Sequence, residues 1–293
     1  MDQLTLINDA WALGQSGYAS AQNLLIFISK LPADADPVVW DRAVELLVMV
    51  DRAYDRDPAR STFRRKALEL VGPVASAVGT APRTGESPNA ATLRSDLWLA
   101  QVRFGDVAAL TRAQRIFADG VGSAADQRAA LDVVGQAAND GTFNALLRRT
   151  QAIHDPLEKL HILKAMALAI DPSLSARMVD IALGPDAPAG SNKDLLWIAG
   201  VENPDAVWQA LSLHMAKGPL PIDDLERWDL IPRIAAASAD PTRIDDVRHY
   251  GEQDMPADAR RPVVAAIASI KLNEKVQAGA LPDIDRWIAS HAR

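Results

Sequence analysis

Five histidines are the first residues of this 293-residue chain to test for chemistry: His154, His161, His214, His249 and His291. A zinc-hydrolase helix carries two histidines one turn apart with a glutamate base beside them, H-E-x-x-H. No pair here has that spacing. His154, Glu158 and His161 fall at i, i+4 and i+7 and could share one helix face. His154, however, precedes the Asp155-Pro156 pair that starts a helix, which puts it outside that helix and argues against a metal site. Residues 120–125, GVGSAA, imitate a dinucleotide-binding fingerprint. They follow a helical pattern rather than a strand, so the phosphate-cradling reading fails its structural context. The chain has no G-x-S-x-G elbow and no Walker loop. It has no cysteine, which excludes a thiol nucleophile, a thiolate metal site and a disulfide. Asp223-Asp224 and Asp245-Asp246 are adjacent pairs that point apart on a helix, and they read as solvated.

Composition narrows the classes further. Apolar residues make up 48% and charged residues 24%, the balance of a soluble folded protein. The formal net charge is -7, which argues against a nucleic-acid partner, since phosphate backbones require clustered Lys and Arg. The runs Arg64-Arg65-Lys66, Arg148-Arg149 and Arg260-Arg261 read as solvated helix faces. An uncharged run lies between Glu69 and Arg83. It contains Gly and Pro and falls short of the ~18 apolar residues a membrane span needs. No basic, apolar and cleavable leader precedes the first helical pattern, and the abrupt start reads as that of an excised domain. Compartment is left open.

The elements that must position any site are helical. Leu93, Leu97, Ala100 and Phe104 recur at i, i+4, i+7 and i+11. Gly105-Asp106 breaks that stripe, and Leu110, Ala113 and Phe117 begin another, which predicts a helix pair with a tight turn. Asp or Asn followed by Pro recurs at Asp36-Pro37, Asp57-Pro58, Asp155-Pro156, Asp171-Pro172, Asn203-Pro204 and Asp240-Pro241. Each is a start signal, because the Asp side chain caps free N–H groups and Pro suits the first helical position. Ser123 with Asp126 predicts a capping box, Thr142 a cap for the helix of Phe143, and Pro232 a split into short pieces. The seven tryptophans sit in helical stripes and read as core. No period-two alternation is sustained. The spacing of start signals predicts an all-α fold, a HEAT-like solenoid of antiparallel helix pairs in one domain over 1–293. The loops at 79–87 (GTAPRTGES) and 184–192 (GPDAPAGSN) are its only candidate points of subdivision.

The order of motifs resembles a known family. Residues 2–17, DQLTLINDAWALGQSG, are similar to the opening of the C-terminal helical domain of the aminopeptidase N family of zinc metallopeptidases. Trp40, then Leu93-Arg94, Gly105-Asp106, Ala113 and Phe117, then Gln127-Arg128, the 200–208 turn GVENPDAVW, and Tyr250 through Trp287 follow in the family's order. Gln3 stands where the family commonly has Arg, and Ser269 where an acid is common. Residues 199–203, AGVEN, also imitate that family's catalytic G-x-M-E-N motif, but Pro204 and the helical flanks place them in a turn between helices. The resemblance implies a concave bowl that closes over a catalytic domain of the same polypeptide, encloses peptide substrate and limits its length. It implies that zinc, its ligands and the general base belong to that other domain, leaving this chain inactive alone. Arg94 and Arg128, in matched blocks, are then candidates to hold the far end of a peptide, against the alternative of structural ion pairs. The rival expectation is a free-standing helical scaffold that binds a peptide or protein in its concave face. Apolar residues on two sides of the first helix, Leu4, Ile7 and Trp11 on one and Leu6, Ala10 and Leu13 on the other, predict a face that a partner covers.

Overall fold

The computed structural model describes residues 3–55 and 57–291, so Asp2 of the opening motif lies outside the described residues. These residues contain α-helices and no strand, as the periodicity requires. The chain forms two compact units, one of Met1–Thr111 with Glu274–Arg293 and one of Arg112–Asn273. The divisions fall inside helices, not at the loops 79–87 and 184–192, because each loop joins two helices of one unit.

The first unit contains α1 (Gln3–Ser16), α2 (Gln22–Ser29), α3 (Pro37–Tyr54), α4 (Arg60–Val78) and α5 (Pro88–Arg103). It also takes the first turn of α6 (Val107–Asp119) and all of α16 (Leu281–Ser290). Its core joins Ile7, Trp11, Leu24, Trp40, Leu47, Phe63 and Leu97 with Ile284, Trp287 and Ile288. A strict solenoid would keep α16 among its sequence neighbours. Instead α16 packs against α2, α3 and α4. Asp283 of α16 accepts hydrogen bonds from the Ser20 hydroxyl and, at 3.4 Å, from the Gln22 N–H, so it caps α2 from the far end of the chain. The Tyr54 hydroxyl donates to Asp285 at 2.7 Å, and Gln277 Nε2 donates to the Ala53 carbonyl at 2.9 Å.

The second unit contains α7 (Ala124–Gln136), α8 (Asp140–Ala152), α9 (Pro156–Ala167), α10 (Pro172–Leu183), α11 (Asn192–Glu202), α12 (Pro204–Met215), α13 (Asp224–Ala236), α14 (Arg243–Asp254) and most of α15 (Arg261–Lys275). Here alternate helices stack: α7 on α9, α9 on α11 and α11 on α13, with α10 on α12 beside them. Gly135 shows how close the approach is. A β-carbon there would lie 2.1 Å from the Ala165 carbonyl oxygen of α9.

The start signals act as expected except at Asn203, which borders α12 without a side-chain bond to its N–H groups. Asp36, Asp155 and Asp171 accept from the N–H groups of Val38, Leu157 and Ser173 at 2.9, 2.8 and 2.8 Å. Ser123 and Asp126 form the capping box, and Gly105 turns the chain at φ 101°. Two expectations are corrected. Asn139, not Thr142, caps α8, accepting from the Thr142 N–H at 2.9 Å, so the helix starts earlier. Pro232 does not split its segment, for α13 runs through it. Proline removes one backbone bond, and the fully buried Ile231, Ile234 and Ala235 hold the helix together across the gap.

Candidate functional site

Of the two arginines expected to meet a peptide, Arg94 lies on α5 in the first unit and Arg128 on α7 in the second. Arg94 forms a two-pronged pair with Glu86, Nη1 to Oε1 at 2.9 Å and Nη2 to Oε2, while Nε donates to the Gly79 carbonyl at 3.2 Å. That pairing holds the Glu86 carboxyl below the usual carboxylate range. It ties both ends of the loop 79–87 to α5. Arg128 is exposed and makes no hydrogen bond to a described residue. One turn away, burial pushes Asp132 up to about 6, partly offset by the charge of Arg128.

The densest charge cluster was not marked in the sequence. Asp51 of α3 is fully buried and receives three guanidinium groups. Arg64 donates from Nε at 2.6 Å and Nη2 at 2.9 Å, Arg60 from Nε at 3.2 Å and Nη2 at 3.0 Å, and Arg103 from Nη1 at 3.1 Å. Burial alone would raise the Asp51 carboxyl. The arginines overcome it and bring it down to about 2. Arg64, expected on a solvated face, is thus drawn into the structure. Arg260 likewise donates to the Met255 carbonyl at 3.2 Å from Nε and to the Glu252 carbonyl at 3.1 Å from Nη2, closing the end of α14.

His154 falls between α8 and α9, and Glu158 approaches Arg149 at 3.8 Å. Among the described residues no group of three or more His, Cys, Asp or Glu could hold a metal ion. These residues do not fit a catalytic zinc, and no step is assigned through one. Residues 120–125 join α6 to α7 and close the capping box. Within 199–203, Gly200 packs against Ile234, and Asn203 donates to the Ala169 carbonyl at 3.0 Å and to Ser175 Oγ at 2.7 Å. Residues 120–123 are thus a structural turn, whereas 199–202 form the last turn of α11 and only Asn203 lies between helices, which corrects the turn expected there.

Two surfaces remain. On α1, Ile7 and Trp11 are buried while Leu6 and Leu13 are 37% and 46% exposed, and Tyr18 beyond them is 85% exposed. In the second unit a groove of about 380 Å³ lies between α13 and α15. Pro232, Ala236, Ala265 and Ala266 line it, with Arg233 and Arg261 also at its wall. No described helix is long and apolar enough to cross a membrane.

Comparison with known families adds what geometry alone cannot. The model of the ERAP1-like C-terminal domain matches residues 1–272. A search of curated proteins finds no match. With its helices, caps and order of motifs covered almost end to end by that model, the chain belongs to the ERAP1-like C-terminal domain family, the C-terminal domain of aminopeptidase N-family enzymes.

Proposed function

We propose that this chain is the substrate-enclosing C-terminal domain of a zinc aminopeptidase that removes N-terminal residues from peptides. The family match over residues 1–272 carries the reading. The two-faced α1 supports it independently. Leu6 and Leu13 leave an apolar stripe open opposite the stripe that packs inward, and an apolar face left open on a helix is a common mark of an interface. In this reading the catalytic domain of the same polypeptide covers the open stripe and supplies zinc, ligands and base. The helical domain bounds the space for peptide and contributes no zinc site of its own. Arg128, exposed and without a hydrogen-bonded acid, is the better placed of the two arginines for a peptide carboxylate, since the donors of Arg94 already go to Glu86 and Gly79.

The test has two arms. The isolated chain should hydrolyse no amino-acid anilide and hold no stoichiometric zinc. Chelator-sensitive hydrolysis by this chain alone overturns the reading. In the full-length enzyme, Arg128→Ala should raise KM several-fold for long peptides and spare dipeptide surrogates. Equal kinetics for both lengths removes Arg128 from the site. The rival, a free-standing scaffold, draws on the groove between α13 and α15. It predicts peptide binding with no effect on any aminopeptidase.

A further inference from the structure

The groove between α13 and α15 lies wholly within the second unit. On α13 its wall is Asp229, Pro232, Arg233 and Ala236, at i, i+3, i+4 and i+7, which is one stripe of the helix. On α15 it is Arg261, Ala265, Ala266 and Ser269, again one side of the helix. The space is a matter of side-chain size. Toward α11, the seam of α13 is filled by Trp197, over whose ring the Arg233 guanidinium lies at 4.2 Å. Toward α15, the facing Ala265, Ala266 and Ser269 are too short to close the gap.

Two features give the groove its chemistry. The first is a low apolar lining, the Pro232 ring and the methyl groups of Ala236, Ala265 and Ala266, with few polar groups among them. The second is surplus positive charge in a chain whose net charge is -7. Arg233 and Arg261 stand at the wall against a single acid, Asp229, and Arg233 Nη1 already donates to Asp229 at 3.1 Å. Arg261 is exposed and makes no hydrogen bond to a described residue. Arg260 beside it gives its donors to the Met255 and Glu252 carbonyls, which are neutral, so its charge adds to that of Arg261. A cation would meet this surplus directly, and a neutral ring would leave Arg261 without an acceptor.

We propose that the groove between α13 and α15 is a binding site for a small aromatic carboxylate. The ring lies between Pro232 and Ala236 on one wall and Ala265 and Ala266 on the other. The Arg233 guanidinium, held by Trp197 and Asp229, borders the ring and attracts its π-electrons. The carboxylate is taken by Arg261, whose planar fork matches it with two parallel bonds. A volume of about 380 Å³ falls at the small end of ligand cavities, ~300–1,000 Å³, and suits one or two fused rings. The occupant is therefore a free small molecule and not the peptide of the free-standing scaffold, and the site stands whether or not a catalytic domain accompanies the chain.

The experiment is equilibrium dialysis of the full chain against 1-naphthoate. 1-Naphthamide supplies the same rings without the charge, and cyclohexanecarboxylate supplies the charge without an aromatic ring. Naphthoate should bind about tenfold more tightly than either, the effect of one hydrogen-bonded charge or one stacked ring. Arg261→Gln should bring naphthoate down to the level of naphthamide and leave naphthamide unchanged. Ala265→Leu, which fills the groove, should abolish binding of both. Arg261 and Ala265 are exposed, so both variants should melt with the wild type, which shows that a loss is local. Arg248→Gln, on α14 and outside the groove, should change nothing. Absence of naphthoate binding, equal binding of naphthoate and naphthamide, or naphthoate binding that survives both Arg261→Gln and Ala265→Leu overturns the proposal.

Discussion

At the scale of the residue, Asp51 shows what a buried charge demands. Its carboxylate satisfies three guanidiniums at once, and removing it strands them in a poorly solvated place. Asp51→Asn should cost about 3–5 kcal/mol, read as a lower urea midpoint. The linkage has a definite sign. Because the folded value is depressed to about 2 from 3.8, the contribution is complete above pH 3.8 and is lost as pH falls through 2. None of this was visible in the sequence. Asp51 is separated from Arg60, Arg64 and Arg103 by 9, 13 and 52 residues, and nothing local to any of them announces the others. The same distance problem applies to Arg94. Its place in an L-R block pointed to a peptide contact, whereas the fold gives it Glu86, which lies in a loop with no pattern to read.

At the scale of the element the chain was far more readable. A cap and its helix are neighbours in sequence, so Asp155 before Pro156 and Asp171 before Pro172 could be assigned from composition and order alone. Asp171→Ala should therefore destabilise by ~1 kcal/mol, and Asp171→Asn should restore most of the loss, as thermal melts of the full chain would show. If the alanine variant melts with the wild type, the cap contributes nothing beyond solvent. Pro232 was misread because propensity describes an isolated helix. In α13 the packing of Ile231 and Ile234 outweighs the one backbone bond that proline removes. Asn139 was missed for Thr142 because both are capping residue types three positions apart, and only the backbone decides between them.

At the scale of the whole molecule, helical class and family were legible because they rest on periodicity and on the order of many weak motifs; the structure shows the first and the family model the second. The division into two units was not legible, since it runs through the interiors of α6 and α15 rather than through loops. The reason lies in α16. Its Ile284, Trp287 and Ile288 are at most 5% exposed within the core of the first unit, and Asp283 caps α2 across 261 residues. Those partners join the two separate stretches of sequence that make up the unit. On a ribosome adding ~5–20 residues per second, α1 to α5 must wait roughly ten to thirty seconds while residues 112–273 are made. During that interval they lack a side of their core, whereas the second unit, contiguous in sequence, has all of its own partners. Synthesis should thus invert the order of the chain. In ribosome-stalled nascent chains arrested with residue 273 just clear of the exit tunnel, residues 112–273 should resist protease while residues 1–111 are still cut. Resistance of both would show that α1 to α5 close without α16. If it is the first unit that stays open, helices α1 to α5 are made before the second unit yet sheltered after it, and the interval before α16 arrives is when a chaperone would find them.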